Sequence, residues 1–423
     1  MEVTVERILP GGFGLAHADG RTVMVALAAP GDRLRVRIDR VKGNVSFASI
    51  QEVITPSPNR VDPPCPYFGR CGGCDFQQMN YQAQLEAKVE IIKDCLRRLA
   101  GLENIPDFKI TGAPNPWHYR SRAQWQYDVV RQKLGYFESN SRRVCDVAAC
   151  AVLAPQLGKT LENLRARMQE SLLPDSARDF RAVVGDKGVS ISPSVSSPTM
   201  REGSDSIKDS EEVRDITRTI RGEAYRLNAE SFFQANDGLL PQLIDAAIGE
   251  TSGETALDLY CGVGLFTIPL ARGFKHVVGV ESDNAAAMFA RQNLANAGLG
   301  NAEVANRSVS DWLEHDTFAW SEENMECSDL SSLSEKRRLV AAVQNQIDFV
   351  LLDPPRTGAE SRVIAGVLGL KPRRISYVSC DPATLARDLK KLLAGGYSLA
   401  SISAFDMFPQ THHVETVVHL VLV

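Results

Sequence analysis

The spacing of apolar residues changes along the chain and divides it into three parts. In the first, residues 5–43, short runs rich in β-branched residues are separated by Gly, Asp-Gly and Pro-Gly turn signals. No helical period is present, so this part predicts a small all-β barrel. Arg33, Arg35 and Arg37 recur with a period of two, which places their side chains on one face of a strand. That face is either solvated surface or a stripe that contacts the phosphates of a nucleic acid.

The middle of the chain mixes strand-like and helix-like spacing. Residues 55–66 are rich in proline and predict a linker at a domain boundary. Residues 77–100 have helical spacing, with apolar side chains on one face at Leu85, Val89, Ile92 and Leu96. The next segments predict mixed strands at residues 117–195 and a Ser-rich loop or hairpin tip at residues 196–213.

From about residue 231, apolar strand-like runs alternate with helical stretches, which is typical of a parallel, doubly wound sheet. The last two runs, SLASISAF and ETVVHLVLV, have no helix between them. We therefore expect the chain to end in an antiparallel hairpin. A polar insertion at residues 320–338 interrupts the alternation and has no predicted role.

These patterns predict an α/β protein with three domains. They are an all-β barrel at residues 1–57, a mixed α+β domain at residues 58–230 and a Rossmann-like domain at residues 231–423. The helix at residues 77–100 is a candidate to pack on the last of these.

Composition narrows the class of protein. The 423 residues are 44% hydrophobic and 23% charged, which is ordinary for a globular protein with separate cores. No apolar stretch is long enough for a membrane span, and the first residues do not resemble a signal peptide, so we expect a cytoplasmic protein. The formal net charge of -5 excludes a uniformly basic surface, so any contact with nucleic acid needs local patches.

The run LDLYCGVGLF is an apolar strand followed by Gly262-x-Gly264, which lets the backbone approach a ligand. The next strand ends at Glu281, a carboxylate suited to ribose hydroxyls. The third glycine of the dinucleotide fingerprint is missing, and Asp258 and Tyr260 fit S-adenosylmethionine better than NAD. The alternative is a plain tight turn in an α/β core.

The run FVLLDPPRTG places Asp353 at the end of the fourth strand, on the ligand edge of the sheet. Two prolines stiffen the loop that follows. Enzymes that methylate amines carry an aromatic residue after a similar Pro-Pro, whereas Arg356 stands here. This difference disfavours methyl transfer to an exocyclic amine.

Cys380 ends the fifth strand, directly before a helix that opens with Asp-Pro. It is either a small core residue or a nucleophile whose thiolate the helix N-terminus favours. A thiolate beside a methyl donor suggests methylation of a pyrimidine at carbon 5, since addition at carbon 6 makes carbon 5 nucleophilic. A base must then remove the carbon 5 proton. Glu415 is the candidate, with His412 and His413 as rivals that we expect to be exposed loop residues.

Nine cysteines without a secretion signal favour metal binding or catalysis over disulfides. Cys65, Cys71 and Cys74 fall within ten residues, and the fourth ligand is either Cys145 or Cys150. The spacing favours a [4Fe–4S] cluster, with zinc or unligated cysteines as the alternatives.

Together these residues resemble the family of RNA uracil-5 methyltransferases, in particular the bacterial 23S rRNA type, over nearly the whole chain. The N-terminal GGFGLAHADGRTVMV and APGDRLRVRI resemble the RNA-binding TRAM barrel, which has an OB-type fold. CPYFGRCGGCDFQQMNYQAQLEAK is similar to the family's iron–sulfur segment. The most specific motifs are CGGC, LDPPRxG and SCDPxTLARD. The resemblance implies methylation of a 23S rRNA uridine at carbon 5 with S-adenosylmethionine as the donor.

The resemblance also implies roles for individual residues. The context C-x-V-L-x-P selects Cys150 as the fourth cluster ligand. The motif F-x-Q-x-N, present as Phe232, Gln234 and Asn236, places Gln234 at the donor and uracil site. The other implied roles are donor binding by Tyr260, Glu281 and Asp353, the nucleophile Cys380, and the base Glu415.

RNA contacts are expected from the basic stretch at residues 117–143, which includes Arg120 and Arg122. Its aromatic residues Trp117, Tyr119 and Trp125 either stack on single-stranded RNA or form a sheet core. We expect a target base that is flipped into the pocket or taken from an open loop, and a monomeric enzyme. The alternatives are a methyltransferase that acts on tRNA and a non-catalytic iron–sulfur protein that binds RNA. The sequence lacks the Pro-Cys loop of DNA cytosine-5 methyltransferases, which disfavours that family.

Overall fold

The computed structural model describes residues 1–193, 214–315 and 347–423. The predicted Ser-rich loop at residues 196–213 and the polar insertion at residues 320–338 lie outside the described residues. Among the helices of the described ranges, none is long and apolar enough to cross a membrane.

The N-terminal part is all β, as predicted. Its six strands are β1 (Glu2–Thr4), β2 (Arg7–Ile8), β3 (Gly14–Ala18), β4 (Arg21–Val25), β5 (Arg33–Lys42) and β6 (Val45–Thr55). They form one sheet in the order β1-β5-β6-β4-β3-β2. The sheet has a small apolar core of its own, which includes Val23, Val25 and Leu34.

The arginines of β5 are exposed on one face, as their period of two predicts. Glu2 pairs with both Arg33, at 3.0 Å, and Arg35, at 3.2 Å. Arg37 pairs with Asp39 at 3.1 Å. Because these carboxylates offset much of the positive charge, the stripe alone is a weak phosphate site.

The helix predicted at residues 77–100 is present as α1 (Tyr81–Cys95), followed by a π-helical turn at Leu96–Ala100. It begins four residues later than predicted because Asn80 caps it. The Asn80 side chain accepts a hydrogen bond of 2.9 Å from the Ala83 N–H. A short strand, β7 (Ile110–Thr111), follows.

The buried face of α1 differs from the predicted one. Ile92 and Leu96 are buried in an apolar core shared with the α/β sheet, whereas Leu85 and Val89 are only half-buried. The other buried positions are Ala83, Gln84, Ala87, Lys88, Ile91 and Cys95. Gln84 and Lys88 are buried because they bond to a loop more than 300 residues away, a contact that apolar periodicity cannot register.

The central part contains a five-stranded antiparallel sheet, a helix and a separate hairpin. Its elements are β8 (Arg122–Asp128), β9 (Lys133–Phe137), β10 (Val144–Asp146), α2 (Pro155–Gln169), β11 (Asp179–Val184), β12 (Val189–Ser192), β13 (Ile216–Ile220) and β14 (Glu223–Leu227). The sheet has the order β10-β9-β8-β11-β12, and β13 pairs with β14. The prediction of strands alone for residues 117–195 was wrong at α2. Its Leu157, Leu161, Leu164 and Met168 follow the helical period behind a proline, but the segment lies among strand-like runs.

The last part is an eight-stranded sheet with helices on both faces. Its elements are α3 (Leu240–Ile248), β15 (Gly253–Leu259), α4 (Thr267–Gly273), β16 (Phe274–Glu281), α5 (Asn284–Asn296), β17 (Ala302–Asn306), α6 (Val309–His315), β18 (Phe349–Leu352), α7 (Ser361–Leu370), β19 (Arg374–Ser379), α8 (Pro382–Ala394), β20 (Tyr397–Phe405) and β21 (Glu415–Leu422). The strand order is β17-β16-β15-β18-β19-β21-β20-β7.

The first five strands of this sheet are parallel, as predicted, and β21 runs antiparallel to both of its neighbours as the predicted terminal hairpin. The chain builds outward from β15 through β16 to β17, then crosses to β18 on the other side. Ligands of open α/β sheets bind at such a switch point, outside the carboxyl ends of the strands. A ligand site is therefore expected in the crevice between the ends of β15 and β18.

Candidate active site

The turn after β15 brings bare backbone to this crevice. Tyr260, Gly262 and Gly264 all have positive φ, at 70°, 55° and 92°. Glycine adopts these angles without strain, which explains why glycine stands at positions 262 and 264. No described atom lies within 4 Å of the position that a Gly262 Cβ would take. The backbone there is therefore open to a ligand.

Glu281 ends β16 and is held beside the same turn. Its carboxylate accepts hydrogen bonds from the Gly262 N–H at 2.9 Å and from the Asp283 N–H at 2.7 Å. An ionised carboxylate has further lone pairs after accepting two bonds. Glu281 is thus fixed in position and can still accept bonds from the hydroxyls of a ribose.

Two more carboxyls lie at this edge of the sheet. Asp258 is fully buried and accepts a 2.6 Å hydrogen bond from the Thr267 hydroxyl. Burial raises the pKa of Asp258 to about 7. Burial and the Asp258 charge raise the pKa of Asp353, just after β18, to about 7. With Glu281, these carboxyls form an acidic group at one edge of the sheet, which suits a positively charged ligand.

Cys380 and Glu415 lie side by side because β19 and β21 are antiparallel. Ser379 pairs with Thr416, so the residue after β19 stands beside the first residue of β21. Glu415 is buried, and its Oε2 has no hydrogen-bond partner in the described parts of the chain. Burial and the Asp353 charge raise the pKa of Glu415 well above its usual range.

The thiol of Cys380 is held in its protonated form in the unliganded protein. Burial raises the pKa of Cys380 to about 12; the Glu415 charge adds to this, and the Arg356 charge opposes it. Burial therefore opposes the thiolate that the helix N-terminus is expected to favour. Asp381 caps α8 by accepting hydrogen bonds from two of its first N–H groups, and its own charge raises the thiol pKa further.

The two histidines before Glu415 are half-buried, so the expectation of exposed loop residues was wrong. His412 pairs through Nδ1 with Asp75. Burial, followed by the neighbouring His412, lowers the pKa of His413 to about 2. His413 is therefore a very weak base, and the ring of His412 is already paired with the Asp75 carboxylate. Glu415 is the better candidate to accept a proton.

The segment F-x-Q-x-N lies against the central sheet and the loop before Glu415. The Ser121 N–H donates to the Ala235 carbonyl at 2.8 Å, and the Asn236 side chain donates to the Met407 carbonyl at 3.4 Å. Gln234 is buried, and within the described residues its Oε1 has no partner, which is the state expected of an amide that awaits a ligand.

Phe232 is 61% exposed, and the Arg122 guanidinium lies 5.7 Å from the centre of its ring. Burial, and then repulsion from Arg181, lowers the pKa of Arg122. An exposed aromatic ring with a cation over it offers a stacking platform for a base.

Four cysteines line one small cavity. Cys65, Cys71, Cys74 and Cys150 all line it. Cys145 instead lies buried on β10, where it accepts a 3.2 Å hydrogen bond from Arg70. In residues 1–193, 214–315 and 347–423, no group of three or more His, Cys, Asp or Glu side chains is close enough to hold a metal ion.

The predicted stacking of Tyr119 and Trp125 on RNA was wrong, because both are buried. Along β8, alternate residues point into the core of the central sheet, and Trp125 is one of them. The Tyr119 hydroxyl donates to the Pro409 carbonyl at 3.0 Å. Arg120 lines the cysteine cavity with Tyr136, so its side chain does not extend from the basic surface that the sequence predicts.

Comparison with known proteins identifies the family. The profile of the tRNA (uracil-5-)-methyltransferase family matches residues 203–422, and that of the TRAM domain matches residues 1–50. The chain is 31% identical, over 98% of its length and 92% of the relative's, to a 23S rRNA (uracil(1939)-C(5))-methyltransferase, RlmD, of Pectobacterium atrosepticum. The chain belongs to the RNA uracil-5 methyltransferase family.

Two further relatives agree with this assignment. An RNA methyltransferase of Thermotoga maritima is 30% identical over 99% of this chain and 98% of its own length. The crystal structure of the Pyrococcus abyssi tRNA (uracil-54, C5)-methyltransferase, in complex with S-adenosyl-L-homocysteine, superposes with a TM-score of 0.70. It is 26% identical, and the match covers 99% of this chain and 100% of that one.

This RNA uracil-5 methyltransferase is therefore an enzyme that uses S-adenosylmethionine, with a TRAM domain at its N-terminus and a Rossmann-like domain. The sequence showed that Asp258 fits a methyl donor and that Arg356 follows the Pro-Pro pair, but it gave neither a role beside the reacting groups, which both of them border. Asp75, which contacts the loop before Glu415, gave no signal beyond its position after Cys74.

Proposed function

We propose that this enzyme methylates carbon 5 of a specific uridine in 23S rRNA through a covalent bond from Cys380 to carbon 6. The observation that carries the proposal is the antiparallel register of β19 and β21, which brings the Cys380 thiol beside the Glu415 carboxyl. Asp353 and the acidic donor pocket lie at the same edge of the sheet. A nucleophile, a base and a methyl-donor pocket are the three parts that the reaction needs.

The reaction begins when the Cys380 sulfur adds to carbon 6 and the electron pair of the 5,6 double bond moves into an enolate. Carbon 5 then attacks the methyl carbon of S-adenosylmethionine, whose sulfur leaves with the bonding pair as S-adenosylhomocysteine. Glu415 removes the proton from carbon 5. The released pair restores the double bond and expels the Cys380 thiolate, so the only net loss from the uracil is one proton.

The thiol must lose its proton before it can add, and the structure shows what opposes this. Burial and the Glu415 charge raise the pKa of Cys380, whereas the Arg356 charge lowers it. The positively charged donor would favour ionised groups throughout this pocket. We infer that the nucleophile is formed once the donor and the RNA are bound, which protects the thiol in the free enzyme.

The donor would be held by the turn at Tyr260, Gly262 and Gly264, with Glu281 on its ribose. Gln234, whose Oε1 is buried without a described partner, would bind the donor or the uracil. Asp353 is placed to contact the donor or the target base. These roles rest on the geometry of the turn and on the hydrogen bonds of Glu281.

A uracil within a stack cannot reach the thiol at the end of β19, so the target base must leave its stack. The exposed Phe232 ring, beside Arg122, can stack on a base near the target. The relative RlmD is named for 23S rRNA, whereas the Pyrococcus abyssi enzyme is named for tRNA. The higher identity to the former favours rRNA, and tRNA is the second candidate.

We also propose that Cys65, Cys71, Cys74 and Cys150 hold a [4Fe–4S] cluster. The four thiols line one cavity, and four thiolates are the ligand set of a [4Fe–4S] cluster. Arg120 lies in the same wall and would offset the negative charge of the bound group. The cluster would hold the cysteine segment in its folded form, and no step of the reaction needs it.

Three experiments test these parts separately. RNA that contains 5-fluorouridine should trap a denaturation-resistant adduct, because fluorine cannot leave as a proton does. The adduct should be absent from Cys380→Ser and unchanged in Cys95→Ser, a buried cysteine of α1. An equal yield of adduct from Cys380→Ser would show that Cys380 is not the nucleophile.

For the substrate, S-adenosylmethionine with a labelled methyl group should be offered separately with unmodified 23S rRNA and tRNA transcripts. Label on a uracil carbon 5 of rRNA supports the proposal, and label on tRNA alone would replace the substrate while keeping the mechanism.

For the cluster, anaerobically purified protein should be brown and hold about four irons per chain. Cys150→Ser should lose the colour, and Cys145→Ser should keep it. Colourless wild-type protein with stoichiometric zinc would reject the cluster.

A further inference from the structure

The loop that leads into Glu415 is unusually well held. Residues 406–414 join β20 to β21, and every one of them is buried or half-buried, whereas such connections mostly lie on the surface. Gln410, at the centre of the loop, has φ of 70°, a left-handed conformation that is rare for residues other than glycine. A non-glycine residue keeps this conformation only where its surroundings hold it.

Helix α1 holds one side of this loop. The Gln84 side chain accepts a hydrogen bond from the Gln410 N–H at 3.0 Å and donates to the Gln410 side chain at 3.0 Å. The Lys88 ammonium donates to the Phe408 carbonyl at 3.1 Å and pairs with Asp406 at 2.5 Å. All these contacts join residues more than 300 positions apart.

The cysteine segment holds the other side. The Asp75 and Phe76 N–H groups both donate to the Gln410 carbonyl, at 3.1 and 3.0 Å. The Asp75 carboxylate accepts a 2.8 Å bond from the His412 N–H and also pairs with the His412 ring. Asp75 directly follows Cys74, so the cysteine cavity and the loop are joined by one residue.

We propose that Gln84 and Asp75 are positioning residues for Glu415. Gln84 bonds to Gln410 and Asp75 bonds to Gln410 and His412, and the loop runs without a break into β21, whose first residue is Glu415. The base therefore stands where helix α1 and the cysteine segment place it. The inference rests on the proposed function, because it assumes that Glu415 removes the carbon 5 proton.

Glu415 acts only after methyl transfer, so a misplaced Glu415 should slow one step and leave the earlier ones intact. Loss of the hydrogen bonds from Gln84 or Asp75 to the loop should slow release of the methylated RNA from Cys380 by roughly a hundredfold, which is typical of a misplacement of about 1 Å. The methylated covalent adduct should accumulate. RNA affinity and the rate of adduct formation should stay near the wild-type values.

The test is a single-turnover reaction of full-length Gln84→Leu and Asp75→Ala with natural RNA and methyl-labelled S-adenosylmethionine. Labelled protein–RNA adduct and free methylated RNA are quantified over time on denaturing gels. Gln82→Leu, at an exposed position of the same helix, and Asp62→Ala, at an exposed position before the cysteines, are the matched controls. Asp75→Asn keeps an oxygen acceptor for the His412 N–H and should release product faster than Asp75→Ala.

Accumulated labelled adduct in Gln84→Leu and Asp75→Ala, with normal iron content and RNA affinity, supports the proposal. Equal slowing of adduct formation and release, or slowing of neither, overturns it. Should one variant fail to fold, the other tests the same loop from a different element. Should both fail, Gln84→Met, which also removes both hydrogen bonds to Gln410, provides the measurement, and release at the wild-type rate would overturn the proposal. Glu415→Gln is the reference: if it does not accumulate adduct, the base assignment fails instead.

Discussion

Asp258 should make the stability of this enzyme fall as the pH rises from about 5 to about 8. Burial raises its pKa to about 7, from an ordinary value of 3.8. Between these two values the folded state keeps a proton that the unfolded state has released, so a rise in pH favours unfolding. A difference of about three pKa units corresponds to about 4 kcal/mol over the full range.

The measurement compares the wild type with Asp258→Asn by urea unfolding at about pH 5 and about pH 8. Asparagine does not ionise, so the variant lacks this loss of stability. The free energy of unfolding of the variant minus that of the wild type should therefore rise by about 3 kcal/mol from about pH 5 to about pH 8. The comparison cancels the other titrating groups. Loss of the Asp258 charge also lowers the pKa of Asp353, which shifts the result in the same direction.

The same substitution at exposed Asp62 is the matched control, because its carboxyl is solvated in both states. A relative change below about 1 kcal/mol for Asp258→Asn, or one of opposite sign, would refute the argument from burial. The affinity of the wild type for S-adenosylmethionine should rise over the same pH interval, because ionised carboxyls attract its positive charge. This rise should be smaller in the variant.

Two further changes test the packing around the site. Lys88→Met leaves Asp406 buried without its partner and should lower the free energy of unfolding by about 3–5 kcal/mol, against at most about 1 for Lys93→Met on the surface of the same helix. Gly358→Ala should cost more than about 2 kcal/mol, because its φ is 76° and a Cβ would stand 2.4 Å from an arginine nitrogen. Gly369→Ala, in a helix with open space, should be neutral or stabilising. Denaturant unfolding measures all four, and a Lys88→Met effect no larger than that of Lys93→Met would contradict the first expectation.

The residues at the ends of the parallel strands could be predicted from the sequence for a topological reason. Apolar runs show where strands end, and parallel strands that share a sheet bring their carboxyl ends to one edge. Glu281, Asp353 and Cys380 were found in this way. Their ionisation could not be predicted, because it depends on burial and on neighbours such as Glu415 that only the folded sheet supplies. The raised pKa of the Cys380 thiol, for example, comes first from its burial in the folded sheet.

The predictions for the central part failed where one pattern fits two structures. Aromatic residues that alternate with basic ones match a stacking surface for RNA, but they also match a strand with one buried face. The structure has the second arrangement, with Trp125 in the core. Period-two alternation states only that two faces differ, and it does not tell which of the two is solvated.

The contacts that position Glu415 could not be predicted from any such pattern. Periodicity registers local and apolar order, so α1 was predicted from its leucine, valine and isoleucine side chains. Its polar Gln84 and Lys88 are nonetheless buried, since they bond to a loop 326 and 318 residues further along the chain. A buried polar group must find a partner, and here that need joins the catalytic hairpin to a distant helix and to the cysteine segment. Substitutions in α1 or beside Cys74 should therefore affect the release step, although neither region touches the uracil.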